Sequence, residues 1–212
     1  MTEPAVREEI MAATYEALCE HGYTELTAQA IADRTAKSKS WLFYHYDSKD
    51  DLVADFLGYL LERFEEQLAE VDDRPPVVRL ATFVDWYLQE PADDREAFHT
   101  ALLELRTQAP YDDRFREQLR ESDDRLRATL ESILEDGIAA GQFRDHDTAE
   151  VAKLLLTTLD GARIRQLTLG RTTYLTDLKE TMIERVIDDI LEDNVDFPAV
   201  DAGIGTLEKT HD

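Results

Sequence analysis

The 212-residue chain has a single cysteine, Cys19, which rules out an intramolecular disulfide and a cysteine-based zinc site within one chain. No stretch approaches the roughly 18 consecutive apolar residues of a membrane span, and Met1-Thr2-Glu3-Pro4 has no basic region leading into an apolar run, so the expected setting is cytoplasmic, with no membrane partner. Strand-like alternation and internal repeats are also missing. Basic residues are few, 23 against 47 acidic ones, for a formal net charge of −24, and only six of the 23 are lysine. Taken as a whole, such a chain should repel nucleic acid. An acidic excess often marks disorder, but 43% of the residues are hydrophobic and recur at helical spacing almost from end to end, which disordered tracts do not show. Abundant aspartate and scarce lysine suit concentrated salt, where the Debye length shrinks to about 3 Å and self-repulsion is screened.

The periodicity predicts an all-α fold of about nine helices. Pro4 precedes a first helix, with Ile10, Ala13, Ala17 and Leu18 at 3/4 spacing, that Gly22 ends. Thr27 caps a short second helix, and Ser38 caps a third reaching Tyr44 after a break at Thr35-Ala36-Lys37. Asp47 or Ser48 caps a fourth running to about Val71. A fifth extends from Arg74-Pro75-Pro76 to Gln89, and a sixth from about Asp94, after Pro91-Ala92-Asp93, to Gln108. A long seventh follows Pro110-Tyr111 and ends around Gly137 to Gly141. Asp145 or Asp147 opens an eighth reaching Leu169, and Thr173 or Thr176 a ninth reaching about Asp193. This suggests three segments: a three-helix head at 1–47, a larger helical domain at 48–195, and a flexible acidic tail at 196–212.

The second and third helices have the lengths and the short turn of a helix-turn-helix, which offers its second helix to the DNA major groove. On that helix Leu42 and Tyr46 share one side, while Lys37, Ser40 and Tyr44 fall near the opposite one. Residues 34–49 hold Arg34, Lys37, Lys39 and Lys49 against Asp47 alone, about +3 in a chain whose remainder is about −27. A local positive field is what phosphate binding requires. From charge alone, a solvated basic face on a helical bundle is an equal alternative.

The run from Ser38 to Leu52 resembles the helix-turn-helix signature of the TetR (tetracycline repressor) family: serine and lysine open the recognition helix, and a Leu-Tyr-aromatic-His-aromatic pattern leads to a lysine at the next helix start. Arg7, Ile10, Ala13, Gly22-Tyr23, Leu26-Thr27 and Ile31-Ala32 match as well, and Phe143-Arg144-Asp145 is weakly similar to the choline-responsive branch. The resemblance implies phosphate contacts from Thr27, Tyr44, His45 and Lys49, and places Lys39, Ser40 and Trp41 at base edges; Gln29, Lys37 and Ser38 join them as candidate DNA-binding residues. Lys39 can donate to guanine, and Trp41 can cover a thymine methyl. The alternatives are a core role for Trp41 and a boundary role for His45. Three positions depart from the family: Phe43 replaces a phosphate-touching tyrosine, Ala36 a glycine, and Lys37 a small apolar residue. Ala36 implies either strain in a left-handed backbone or a different turn.

The resemblance further implies a homodimer on an inverted-repeat operator, paired through the last two helices, with Leu155, Gly161, Ala162, Met182, Val186 and Ile190 as interface candidates. Intrachain packing of the same residues is the alternative. It also implies a small-molecule inducer, for which Phe83, Trp86, Tyr87, Phe98, Leu102 and Phe115 are candidate cavity residues, though an aromatic stripe is more often plain core. Asp145-His146-Asp147 and the pair His99 with Glu104 lack a recognisable metal or acid/base spacing, so neither an enzyme nor a cofactor is expected. A helical ligand-binding or interaction protein that does not bind DNA is the competing class.

Overall fold

Local signals set the helix boundaries. The computed structural model describes residues 4–88, 93–171 and 173–199, so Gln89, Pro91, Ala92 and the tail beyond 199 lie outside the described residues. Helix α1 is Pro4–His21, α2 Ala28–Ala32, α3 Lys39–His45, α4 Lys49–Ala69, α5 Pro76–Leu88, α6 Asp93–Gln108, α7 Asp113–Ala139, α8 Thr148–Leu169 and α9 Tyr174–Met182. Gly22 takes φ +66° where α1 stops, a left-handed conformation that residues with a Cβ rarely adopt. The hydroxyls of Thr27 and Ser38 accept the amide protons of Ala30 and Trp41, and the Asp147 carboxylate accepts that of Glu150. Each such cap is worth about 1 kcal/mol. Of the two candidates for α4, Ser48 caps it: its oxygen accepts from the Asp51 amide at 3.1 Å, and its hydroxyl donates to the Asp51 carboxylate at 2.6 Å.

The chain forms two compact units, whose divisions fall within α4 and α7. The first unit holds described residues 4–63 and 93–122. Its core gathers Ile10, Met11, Leu18 and Ile31 with Leu42, Leu52, Phe56, Phe98, Ala101, Leu105 and Phe115, so α6 and the start of α7 belong to the same core as α1–α3. Tyr15 and Phe56 pack on Phe98 at centroid separations of 4.7 and 6.1 Å, and Tyr23 meets Phe115 edge-on at 5.6 Å. Removing a buried ring of this kind costs about 3–5 kcal/mol.

The second unit holds described residues 64–88, 123–171 and 173–199, with α5 against α8 and α9. Phe143 is buried so closely over Gly137 that a Cβ there would lie 2.0 Å from its ring, which explains the glycine near the end of α7. The ninth helix differs from expectation. After Met182 it widens into a π-helical turn, Ile183–Ile187, and ends with Asp188–Ile190 instead of at Asp193. The extra residue slips the apolar face by one position, so Ile187 is buried in place of Val186, and Met182, Ile187 and Ile190 face inward. Leu191 then pairs with Phe143 in an isolated antiparallel bridge, where the Arg144 amide donates to the Ile190 carbonyl and the Glu192 amide to that of Gln142.

Candidate nucleic-acid interface

Leu42 is the one fully buried residue of α3 and turns its opposite face to solvent. On that face Lys39, Ser40, Phe43 and Tyr44 are exposed, Tyr44 to 84%, and Lys37 and Ser38 stand exposed just before the helix. Trp41 and His45 are half-buried and meet edge-on at 5.0 Å; Tyr44 meets His45 at 5.1 Å. Trp41 also packs on the head core, so the core and surface readings of that residue both describe part of its ring.

The turn before α3 needs no left-handed residue. Among the described residues no non-glycine has positive φ, so Ala36 carries no such strain. The chain continues past α2 through bonds from Arg34 to the Ile31 carbonyl and from Thr35 to that of Ala32. The Thr35 hydroxyl donates to the Ala32 carbonyl at 2.9 Å and accepts the Lys37 amide at 3.2 Å. A threonine-pinned turn thus replaces the glycine turn.

The four cations of residues 34–49 differ in what they touch. Arg34 is paired with Glu20 and also donates to the Ala30 carbonyl. Lys49 is half-buried over the Tyr23 ring, 4.4 Å from its centroid and 3.9 Å from Asp50. Lys37 and Lys39 have no carboxylate partner among the described residues; Lys37 lies over Trp41 at 5.8 Å and Lys39 over Phe43 at 5.6 Å. Thr27 is exposed, and while its oxygen caps α2 its O–H can still donate to a phosphate. Gln29 donates its amide to Asp33 at 2.7 Å, which leaves its carbonyl as the free end.

Contacts that the sequence reading did not anticipate hold this face in place. The Tyr46 hydroxyl, at the end of α3, donates to Asp55 at 2.6 Å; Arg7 bonds the same carboxylate at 2.8 Å and Glu62 at 2.6 Å. Burial first, then the bond to Asp55, raises the Tyr46 phenol well above its ordinary range, so it stays a donor at any physiological pH. Glu104 of α6 accepts both the amide and the hydroxyl of Thr24, in the α1–α2 turn, at 2.9 and 3.2 Å. Arg114 of α7 bonds Asp51 and Asp112, each at 2.7 Å. The bonds from Ser48 and then Arg114 lower the Asp51 carboxyl, and the bond from Arg114 lowers that of Asp112.

The six expected cavity residues fall into two groups. Phe98, Leu102 and Phe115 belong to the head core. Phe83, Trp86 and Tyr87 lie in the second unit, where Trp86 stacks on Phe64 at 3.9 Å, Phe83 meets Phe64 at 5.4 Å, and Tyr87 bonds Asp160 through its hydroxyl. Arg163 is buried beside them and donates to the Tyr87 carbonyl at 2.8 Å. Phe64, Asp160 and Arg163 join this group from α4 and α8, because a helical stripe does not say which side chains of different helices converge.

The interface candidates also divide. Leu155, Ala162, Met182 and Ile190 are buried within the chain itself, Val186 is half-buried, and Gly161 has open space where a Cβ would stand. The outward face of α8 instead carries Leu154 at 49% exposure, Thr157, Gly161, Ile164 at 37% and Thr168, a 3-4-3-4 seam. Its spacing was visible beforehand; which of the two faces of α8 is buried was not.

Residues 10–56 match the bacterial regulatory protein family TetR, and residues 76–192 match the BetI-type transcriptional repressor C-terminal family. A TetR transcription regulator from Haloarcula marismortui is 43% identical, with a TM-score of 0.79 over 88% of this chain and 98% of its own. A transcriptional regulator from Saccharomonospora viridis, solved in complex with choline, is 25% identical with a TM-score of 0.73 over 90% of this chain and 100% of its own. The HTH-type transcriptional repressor AcnR of Corynebacterium efficiens is 26% identical over 84% of this chain and 93% of its own length. A threonine-capped α2, an outward cationic α3 and a BetI-type helical remainder identify the chain as a member of the TetR family of transcriptional regulators.

Proposed function

We propose that the chain is a repressor that binds an inverted-repeat operator as a homodimer through α3 and leaves it when a small organic cation binds the second unit. The observation that carries the DNA-binding half is the exposed face of α3, where Lys37, Lys39, Ser40 and Tyr44 stand free of carboxylates in a chain of net charge −24. Lys39 and Ser40 read base edges, while Thr27, Tyr44, His45 and Lys49 meet phosphates once Lys49 swings off Tyr23. Two such helices related by a two-fold axis read mirrored half-sites about one helical turn apart. The seam on α8 suits the pairing, since a partner helix can approach where Gly161 leaves space.

The effector half rests on the Phe64, Trp86 and Tyr87 rings beside the Asp160 carboxylate, a combination of π-faces and negative charge that suits a quaternary ammonium. The choline complex of the Saccharomonospora viridis regulator and the BetI-type match support that class. Such a ligand acts only through its preference for the DNA-free form. The test is a gel shift in molar potassium chloride with the DNA upstream of the chain's own gene, followed by choline titration of the complex. The expected result is a specific shift that choline reverses for wild type and not for Trp86→Ala. No shift would remove the repressor reading; a shift that no organic cation reverses, or that choline reverses equally in Trp86→Ala, would remove the effector assignment alone.

A further inference from the structure

The two lysines free of carboxylates stand in the same relation to an aromatic ring. Each lysine lies four residues before its ring: Lys39 and Phe43 share one face of α3 at the helical i, i+4 spacing, while Lys37 reaches over Trp41 from just before the Ser38 cap. The pairs flank Ser40 and Tyr44, one on each side of the outward face of α3. Phe43 is 43% exposed and does not belong to the head core, so packing does not account for it.

We propose that Trp41 and Phe43 are positioning residues that hold Lys37 and Lys39 for DNA without neutralising them. This rests on the DNA-binding reading above. A lysine left loose must be ordered when it binds, and that entropy is lost at the moment of recognition. The common remedy, a neighbouring carboxylate, fixes the side chain but cancels the charge that a phosphate or guanine is to meet. Arg34 beside Glu20 illustrates that outcome in the same segment. An aromatic face attracts the ammonium through its quadrupole and packs against the methylene stem, yet carries no net charge, so the full positive charge remains available. The arrangement suits a chain with twice as many acids as bases, in which any cation without such a support has carboxylates to turn to. It also suits concentrated salt, where ion pairs are screened and a contact at van der Waals range persists.

The test uses the full chain in molar potassium chloride and the duplex it selects from a random pool, with wild type, Phe43→Leu, Phe43→Tyr, Lys39→Met and the double variant Phe43→Leu/Lys39→Met titrated by fluorescence anisotropy. Phe43→Leu is expected to weaken binding about two- to fivefold, the range of an exposed cation–π contact, while Phe43→Tyr, which keeps the ring and restores a hydroxyl for phosphate, binds at least as tightly as wild type and thermal melting is unchanged. In the Lys39→Met background, Phe43→Leu should then cost nothing further, because the ring acts through the lysine. An equal loss in both backgrounds would mean that the ring touches DNA itself, and no loss in either would mean that it does nothing; each overturns the proposal while DNA binding stands. A wild-type chain that selects no sequence overturns the DNA-binding reading and this inference with it.

Discussion

Two outward faces of this acidic molecule expose large apolar side chains, and they differ in what surrounds those side chains. On α3, Phe43 and Tyr44 stand among lysines and serines; on α8, Leu154 and Ile164 stand among Thr157, Gly161 and Thr168, with Lys153 and Arg165 at the margin. A lysine–aromatic mixture offers donors and positive charge and suits a polyanion. A 3-4-3-4 seam of aliphatic, hydroxyl and glycine positions suits an identical seam, because a two-fold axis brings the same patch together from both chains and a charged residue near the axis would face its own copy. Aspartate in the α8 seam should therefore cause the largest loss. Leu154→Asp with Ile164→Asp is expected to give a monomer by light scattering in molar potassium chloride and to lower operator affinity by more than about a hundredfold, since one half-site loses its partner. A dimer that survives this change would move the interface elsewhere. Val186→Asp, on a half-buried position that the π-turn displaces, should weaken the pairing much less.

Which parts of this comparison could be read from the chain follows from the range of the forces involved. Capping and glycine stops are local, so Gly22, Thr27 and Ser38 mark helix ends in sequence and structure alike, and Asp147 is the one of two neighbouring aspartates that caps α8. The α3 face was legible because Leu42 alone must be buried on a helix of seven residues, which fixes the outward direction. On α8 both faces are apolar enough to pack, and only tertiary contacts decide that Leu155 and Ala162 go inward while Leu154 and Ile164 stay out. The π-turn after Met182 was invisible for a related reason: a one-residue slip preserves helical composition and changes only which residue of Val186 and Ile187 is buried. The partition of the aromatic residues is wholly non-local, as Phe98 and Trp86 lie only 12 positions apart yet sit in different units.

Within the α3 face itself, smaller changes should separate reading from anchoring. Lys39→Ala is expected to narrow the gap between the selected operator and a scrambled duplex about tenfold, as loss of one base contact does. Lys49→Ala should weaken both duplexes alike, because phosphate contacts carry no sequence. Competition anisotropy with the two duplexes distinguishes these, and an equal loss of discrimination in both variants would contradict the division of roles. The salt dependence should be shallow as well: with few cations on the face, few counterions are released, so a plot of log affinity against log potassium chloride should have a slope of only a few units. A slope near ten would point to a much wider basic surface.

The smallest expected effect concerns acid. Asp51 and Asp112 share Arg114, and both carboxyls lie below their ordinary range in the folded chain. A carboxyl lowered by folding contributes stability that is complete above its unfolded pKa of about 4 and is lost as pH falls through the lower folded value. The pair is solvent-exposed, so the contribution is small. Melting of Arg114→Gln should therefore converge with that of wild type only below about pH 4, after a modest difference at neutral pH. A difference unchanged by acid would show that Arg114 acts through packing alone.

The central claim is that two copies of the chain place their α3 helices on mirrored half-sites. Sedimentation of the full chain on the duplex it selects in molar potassium chloride, followed by hydroxyl-radical footprinting of both strands, tests it directly. The account predicts two, or an even number of, chains per duplex, with protection patterns on the two strands related by a dyad and centred about one helical turn apart. A single chain on an asymmetric footprint would contradict it.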